Sequence, residues 1–164
     1  MASPEGTVVN APTDADPDHW HRHFGACANN AAWTLAELPV SEVNRLELLN
    51  AAHAAAWHWE QIGTELNRMR ALMLVAEAHA RAGLGATALA FAEKVRAYFL
   101  ATPATPDWER AFAWIVHAHA AWAAGASNEH ARSYAAAAEA LAAIADDEDR
   151  TIVQRVFRHL PTPP

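Results

Sequence analysis

Apolar residues recur along this chain at spacings of three and four, and nowhere do they alternate residue by residue. The first pattern lines one face of an α-helix; the missing one is the mark of a half-buried strand. Trp20, Phe24, Cys27 and Ala31 make one such face, and Leu48, Ala52, Ala55 and Trp59 a second. Leu72, Val75 and Ala76 begin a third, and Trp108, Phe112, Ile115 and Trp122 a fourth. Near the end, Ile152, Val153, Val156, Phe157 and Leu160 form one broad arc opposite Arg150, Gln154, Arg155 and Arg158. The expected fold is therefore all-α.

Start and stop signals divide the pattern into seven helices. Asp16-Pro17-Asp18 opens the first, which should stop at Pro39. Ser41 is the expected cap of a second, closing on Gly63, and Thr64 starts a third that ends at Gly83. A fourth runs from about Ala86 to about Ala101 and is broken by ATPATP. Asp107 opens a fifth that ends at Gly125, and Ser127 or Asn128 caps a sixth. The acidic run Asp146 to Asp149 begins the last, whose Arg155 and Arg158 finish suits the helix dipole. The turns are short, so consecutive helices should be antiparallel neighbours. One domain is expected over residues 16–160, with a disordered head over 1–15 and a tail over 161–164.

Gly83 and Gly125 each close one long helix and lead into the next, 42 positions apart. In that register Leu72 meets Trp114, Ala76 meets Ala118 and Val95 meets Ala137. Trp114, Ala118, Gly125, Tyr134 and Ala137, with Ala76, Gly83 and Ala88 in the other copy, resemble the tetratricopeptide-repeat (TPR) pattern. In general style the chain is also similar to small bacterial helical-repeat proteins without an assigned function. His117 stands where that family prefers leucine, His130 replaces a small residue and Ala92 an aromatic one. The period exceeds the family's, which is about 34 residues. The resemblance covers about residues 64 to 145. It implies antiparallel hairpins stacked as a short TPR-like right-handed array, closed by the amphipathic last helix as a cap.

Composition narrows the function. Hydrophobic residues at 52% and charged ones at 19% describe a globular chain. The formal charge of −7, with a single lysine and scattered arginines, argues against nucleic acid or an anionic membrane as partner. The first residues lack a basic start and an apolar core, and no apolar run approaches the roughly 20 residues of a membrane span. A cytoplasmic location is expected. The lone Cys27 permits no internal disulfide and, on its apolar face, reads as an inert buried thiol.

Histidine and tryptophan carry the candidate chemistry. In HAAAWHWE, at ~100° per residue, Trp57 falls about 40° and Glu60 about 20° from His53. That stripe could hold a polar ligand or do acid–base work; equally, it could be a polar seam between helices. His58 should face solvent and Trp59 the core. His19 and His23, one turn apart, could chelate a divalent metal or merely flank a buried stripe. His79 and His119 lie in apolar settings and need hydrogen-bond partners. If His53, His79 and His119 converge, they would line a cavity with Trp57 and Trp114 as walls. Trp114 lies about 120° from Trp108 on the same helix, which suits a self-association contact.

No phosphate loop, nucleophile elbow or HExxH motif is present, and no cofactor is called for. The leading expectation is a non-enzymatic scaffold for a protein or peptide partner, or for a second copy of the chain. The alternative is a small-molecule or metal-binding helical domain.

Overall fold

A computed structural model describes residues 10–13, 15–39 and 43–164. Among them are seven helices and no strand: α1 (Pro17–Ala36), α2 (Arg45–Ile62), α3 (Glu65–Arg81), α4 (Gly85–Leu100), α5 (Asp107–Ala123), α6 (Ser127–Ala142) and α7 (Asp147–Phe157). Most of the expected head lies outside the described residues, as does Ser41.

The starts fall into two kinds. In four helices a side chain accepts an otherwise orphaned backbone N–H. Asp16 accepts from Asp18, Asn44 from Glu47, and Asp146 from both Glu148 and Asp149. At α3, Thr64 accepts from the Asn67 N–H while Asn67 Oδ1 accepts from the Thr64 N–H, a reciprocal box. The cap of α2 is thus Asn44, with Ser41 upstream of it. The helices α4, α5 and α6 have no side-chain cap. This corrects the expectation for α6: Ser127 is already helical, and the capping position is Ala126.

What positions α4 and α6 is the turn before each. Gly83 and Gly125 adopt φ +79° and +72°, the left-handed region that favours glycine. At the first turn the Gly83 N–H donates to the Ala80 carbonyl and the Leu84 N–H to the His79 carbonyl. At the second, the Gly125 N–H donates to Trp122 and the Ala126 N–H to Ala121. Both are complete Schellman turns, placed at equivalent points of the 42-residue register.

Consecutive helices from α1 to α7 pack on one another, and α1 on α3, α3 on α5 and α5 on α7 also touch. The odd-numbered helices thus form one continuous row. Burial follows from this: ten of the 17 residues of α3 and 11 of the 17 of α5 are buried. One apolar cluster gathers Ala32, Leu48, Ala52 and Ala55 against Leu74 and Ala78 of α3. The other runs from Met73 and Ala76 through Val95, Phe99, Phe112 and Ile115 to Val153 and Val156. The α7 arc behaves as its pattern predicts, with Val153, Val156 and Leu160 buried and Gln154 and Arg158 exposed.

The sequence misplaced the inner face of α1. The helix buries Gly25, Ala32 and Ala36 rather than the Trp20–Phe24–Cys27–Ala31 stripe. A Cβ at Gly25 would stand 3.2 Å from the Trp59 ring and 3.3 Å from the His58 Cβ. The small residues let α2 approach closely and seat Trp59 there, half-buried against the first cluster. Cys27 is consequently exposed, not buried.

Candidate functional site

Turning α1 in this way pushes its large rings outward, where they meet rings from α2. His21 and His58 lie 5.1 Å apart between ring centroids, with Nδ1 to Nδ1 at 2.9 Å. Trp57 packs on both, at 5.4 Å from His21 and 4.9 Å from His58. Phe24 adjoins His58 at 5.6 Å and Trp20 at 5.5 Å, and His23 lies beside Phe24 and Trp20. Six rings thus form one connected surface across α1 and α2. Its apolar parts face water: Trp57 is 58% exposed and Phe24 46%.

The His21–His58 hydrogen bond sets the electrostatics. One imidazole must donate its Nδ1 proton and the other must present a lone pair. Burial and then the neighbouring His21 push the His58 pKa below its ordinary value. Neither ring pairs with a carboxylate among the described residues. His58 is therefore half-buried within a ring cluster, not the free solvent-facing residue its helical angle indicates.

The stripe expected on α2 does not act as one unit. His53, Trp57 and Glu60 are all exposed, and each turns to a different partner. Glu60 pairs with Arg68 at 3.5 Å, while Trp57 joins the rings above. His53 stacks edge-on against His79 at 5.1 Å, and burial, then His79, depress its pKa. His79 donates from Nδ1 to the Val75 carbonyl at 2.8 Å and touches Phe91.

His119 belongs to a different network. Its Nδ1 lies 2.9 Å from Glu77 Oε1, and both side chains are buried. Arg81, buried beside them, donates to the Leu38 carbonyl. Glu77 Oε2 and Arg81 Nε and Nη1 have no hydrogen-bond partner among the described residues. So His53 and His79 meet, while His119 is committed to Glu77. The two tryptophans proposed as cavity walls are far apart in role. Trp114 is half-buried, with Arg96 stacked over it at 5.4 Å and His117 at 6.4 Å. The exposed tryptophan of α5 is Trp122, at 50%.

The candidate metal pair finds local partners. His19 Nε2 stands 3.9 Å from Asp16, and His23 faces the Asn10 carbonyl at 3.2 Å and Cys27 Sγ at 3.8 Å. Among the described residues neither joins a group of three ligating side chains. One such group exists elsewhere, Glu93, His117 and Glu129, and pattern reading missed it. Only His117 left a trace in the sequence, by breaking the leucine preference of the resembled repeat. Comparisons with protein-family models, curated proteins and solved structures found no match.

Proposed function

We propose that the protein is a non-enzymatic, TPR-like helical-repeat scaffold that binds a partner protein through the ring surface of α1 and α2. The carrying observation is Trp57: a tryptophan more than half exposed, at the centre of a connected patch of rings. Tryptophan in such a setting is the side chain most enriched among residues that dominate binding energy. The row of odd helices and the two equivalent Schellman turns support the stacked-hairpin part of this reading. No helix of the described residues is long and apolar enough to cross a membrane.

The polar atoms of the patch indicate the partner's chemistry. They are imidazole nitrogens that meet no carboxylate among the described residues, none of which supplies a counter-charge for a second proton on the His21–His58 pair. A segment with an apolar side chain flanked by Asp or Glu would cover Trp57 and supply that charge. A second copy would bring another imidazole pair and a like net charge of −7. Binding of a carboxylate raises the imidazole pKa, so affinity should rise as pH falls through the histidine range.

Selection of a random peptide library on the full-length protein tests this. The enriched peptides should carry Asp or Glu beside Leu, Phe or Trp. Trp57→Ala should weaken them about 30-fold, the effect of losing ~2 kcal/mol at a hot spot. Its thermal stability should stay within about 0.5 kcal/mol of the original, as for other exposed positions. Peptides that bind Trp57→Ala equally well would defeat the reading. So would a concentration-dependent dimer, seen by sedimentation, that Trp57→Ala dissolves, because the surface would then belong to a second copy.

A further inference from the structure

Three side chains from three consecutive helices converge away from the ring surface: Glu93 on α4, His117 on α5 and Glu129 on α6. His117 Nε2 lies 3.0 Å from Glu93 Oε1 and 4.0 Å from Glu129 Oε1. One ligand atom from each residue falls within 4.8 Å of the others. We infer that these residues form a binding site for one divalent transition-metal ion.

Each donor is aimed by a second contact. Glu93 gives Oε2 to Arg96 at 2.8 Å and turns Oε1 to His117. Glu129 does the same, with Arg132 on Oε2 and Oε1 toward His117. Both arginines sit three residues after their carboxylate, so each helix orients its own ligand. His117 Nδ1 lies 2.9 Å from the Ser133 hydroxyl. With the proton at Nδ1 donated to Ser133 Oγ, the tautomer leaves the Nε2 lone pair pointing at the carboxylates. Ligating imidazoles are commonly held by such a partner.

The spacing and charge suit an ion. Donors about 2.1 Å from a common metal lie roughly 3–3.5 Å apart, so the Glu93 oxygen is already in place and Glu129 needs a small rotation. Two carboxylates and a neutral imidazole supply two negative charges against a divalent cation. Nitrogen with carboxylate oxygen favours Zn²⁺, Mn²⁺, Fe²⁺ or Co²⁺; the one thiol, Cys27, lies on α1 and is not part of the set. His117 is fully buried and Ser133 almost so, which walls one side. The Glu93 side chain is 48% exposed and that of Glu129 28%, which leaves an entry path and room for water ligands. The competing account is an ion-pair network in which a protonated His117 replaces the metal; binding then requires release of the Nε2 proton.

Chelator-treated full-length protein would be titrated calorimetrically with Zn²⁺ and Co²⁺, with the visible Co²⁺ spectrum recorded. One saturable site is expected, with a Co²⁺ band typical of nitrogen and oxygen ligands. Glu93→Gln and Glu129→Gln should each weaken it about tenfold or more. His23→Ala and His58→Ala, on the α1–α2 surface, should leave it unchanged. Both glutamates are partly exposed, so the glutamine variants should keep their helical circular dichroism. Absence of saturable binding, or binding that only His23→Ala or His58→Ala removes, overturns the assignment.

Discussion

His119→Leu is expected to destabilise the fold by about 3–5 kcal/mol, the usual result of removing the partner of a buried charge. Glu77 is fixed on the central helix α3 and, among the described residues, has His119 Nδ1 as its only side-chain hydrogen-bond partner. Leucine keeps the bulk but leaves the carboxylate with the charge of Arg81 alone. The melting temperature should drop by roughly 10 °C or more at this chain length. The double variant Glu77→Leu, His119→Leu should not recover that loss, because removing the carboxylate strands the buried Arg81 guanidinium instead. A His119→Leu protein within about 1 kcal/mol of the original would mean that Arg81 already satisfies Glu77.

The same network predicts the response to acid. Burial raises the Glu77 pKa, but His119, Arg81 and His159 outweigh it and hold the carboxyl below the usual range. The hydrogen bond from Arg96 lowers that of Glu93 as well. For an acid whose pKa is depressed by folding, the stabilisation is present above the unfolded pKa. It is lost as pH falls through the folded value. His53, His58 and His159 are depressed chiefly by burial, so the unfolded chain takes up their protons first. These contributions share one sign. Thermal melts should show stability falling from about pH 6.5 downward, first over the histidine range and then over the carboxylate range. In His119→Leu the carboxylate part of that decline should shrink, since Glu77 loses the largest of the influences that hold it low.

Gly85→Ala should cost about 3 kcal/mol, the upper end of overpacking effects. A Cβ there would fall far inside contact distance of the Ala123 carbonyl carbon and oxygen and of the Ala124 nitrogen. Those are backbone atoms at the end of α5, and no side-chain rotation relieves the clash. The start of α4 would have to withdraw from α5. Gly83, two residues earlier, is a contrast: nothing lies within 4 Å of its Cβ position, and only its φ of +79° opposes a side chain. Gly83→Ala should therefore cost less, about 1–2 kcal/mol. Urea unfolding of the two variants measures the difference, and equal losses would remove the close approach as the reason for Gly85.

Particular residues show how far the sequence reaches. The helix ends at Thr64 and Asp146 and the turns at Gly83 and Gly125 were legible, because each rests on bonds within about five residues. The 42-residue register places Glu77 opposite His119, and the structure hydrogen-bonds that pair. Even so, His119 alone stood out in the sequence; the acid on its apolar helix face was passed over. The ring surface was half visible: Trp57 drew notice, but it was grouped with His53 and Glu60, which turn to His79 and Arg68. Glu93, His117 and Glu129 were invisible as a group, since no single helix carries more than one of them.

By itself, then, the sequence determined the all-helical class, the number of helices, most of their boundaries and the amphipathic end of the chain. Periodicity, capping and the left-handed glycine are local properties, read over one or two turns. Only the tertiary structure decided how each helix is rotated against its neighbours. That rotation exposed Cys27, drew His58 into the ring cluster and gave His119 to Glu77 rather than to His79. It depends on which small residue, such as Gly25, admits which large one, such as Trp59, and such fits between distant positions leave no periodic trace along the chain.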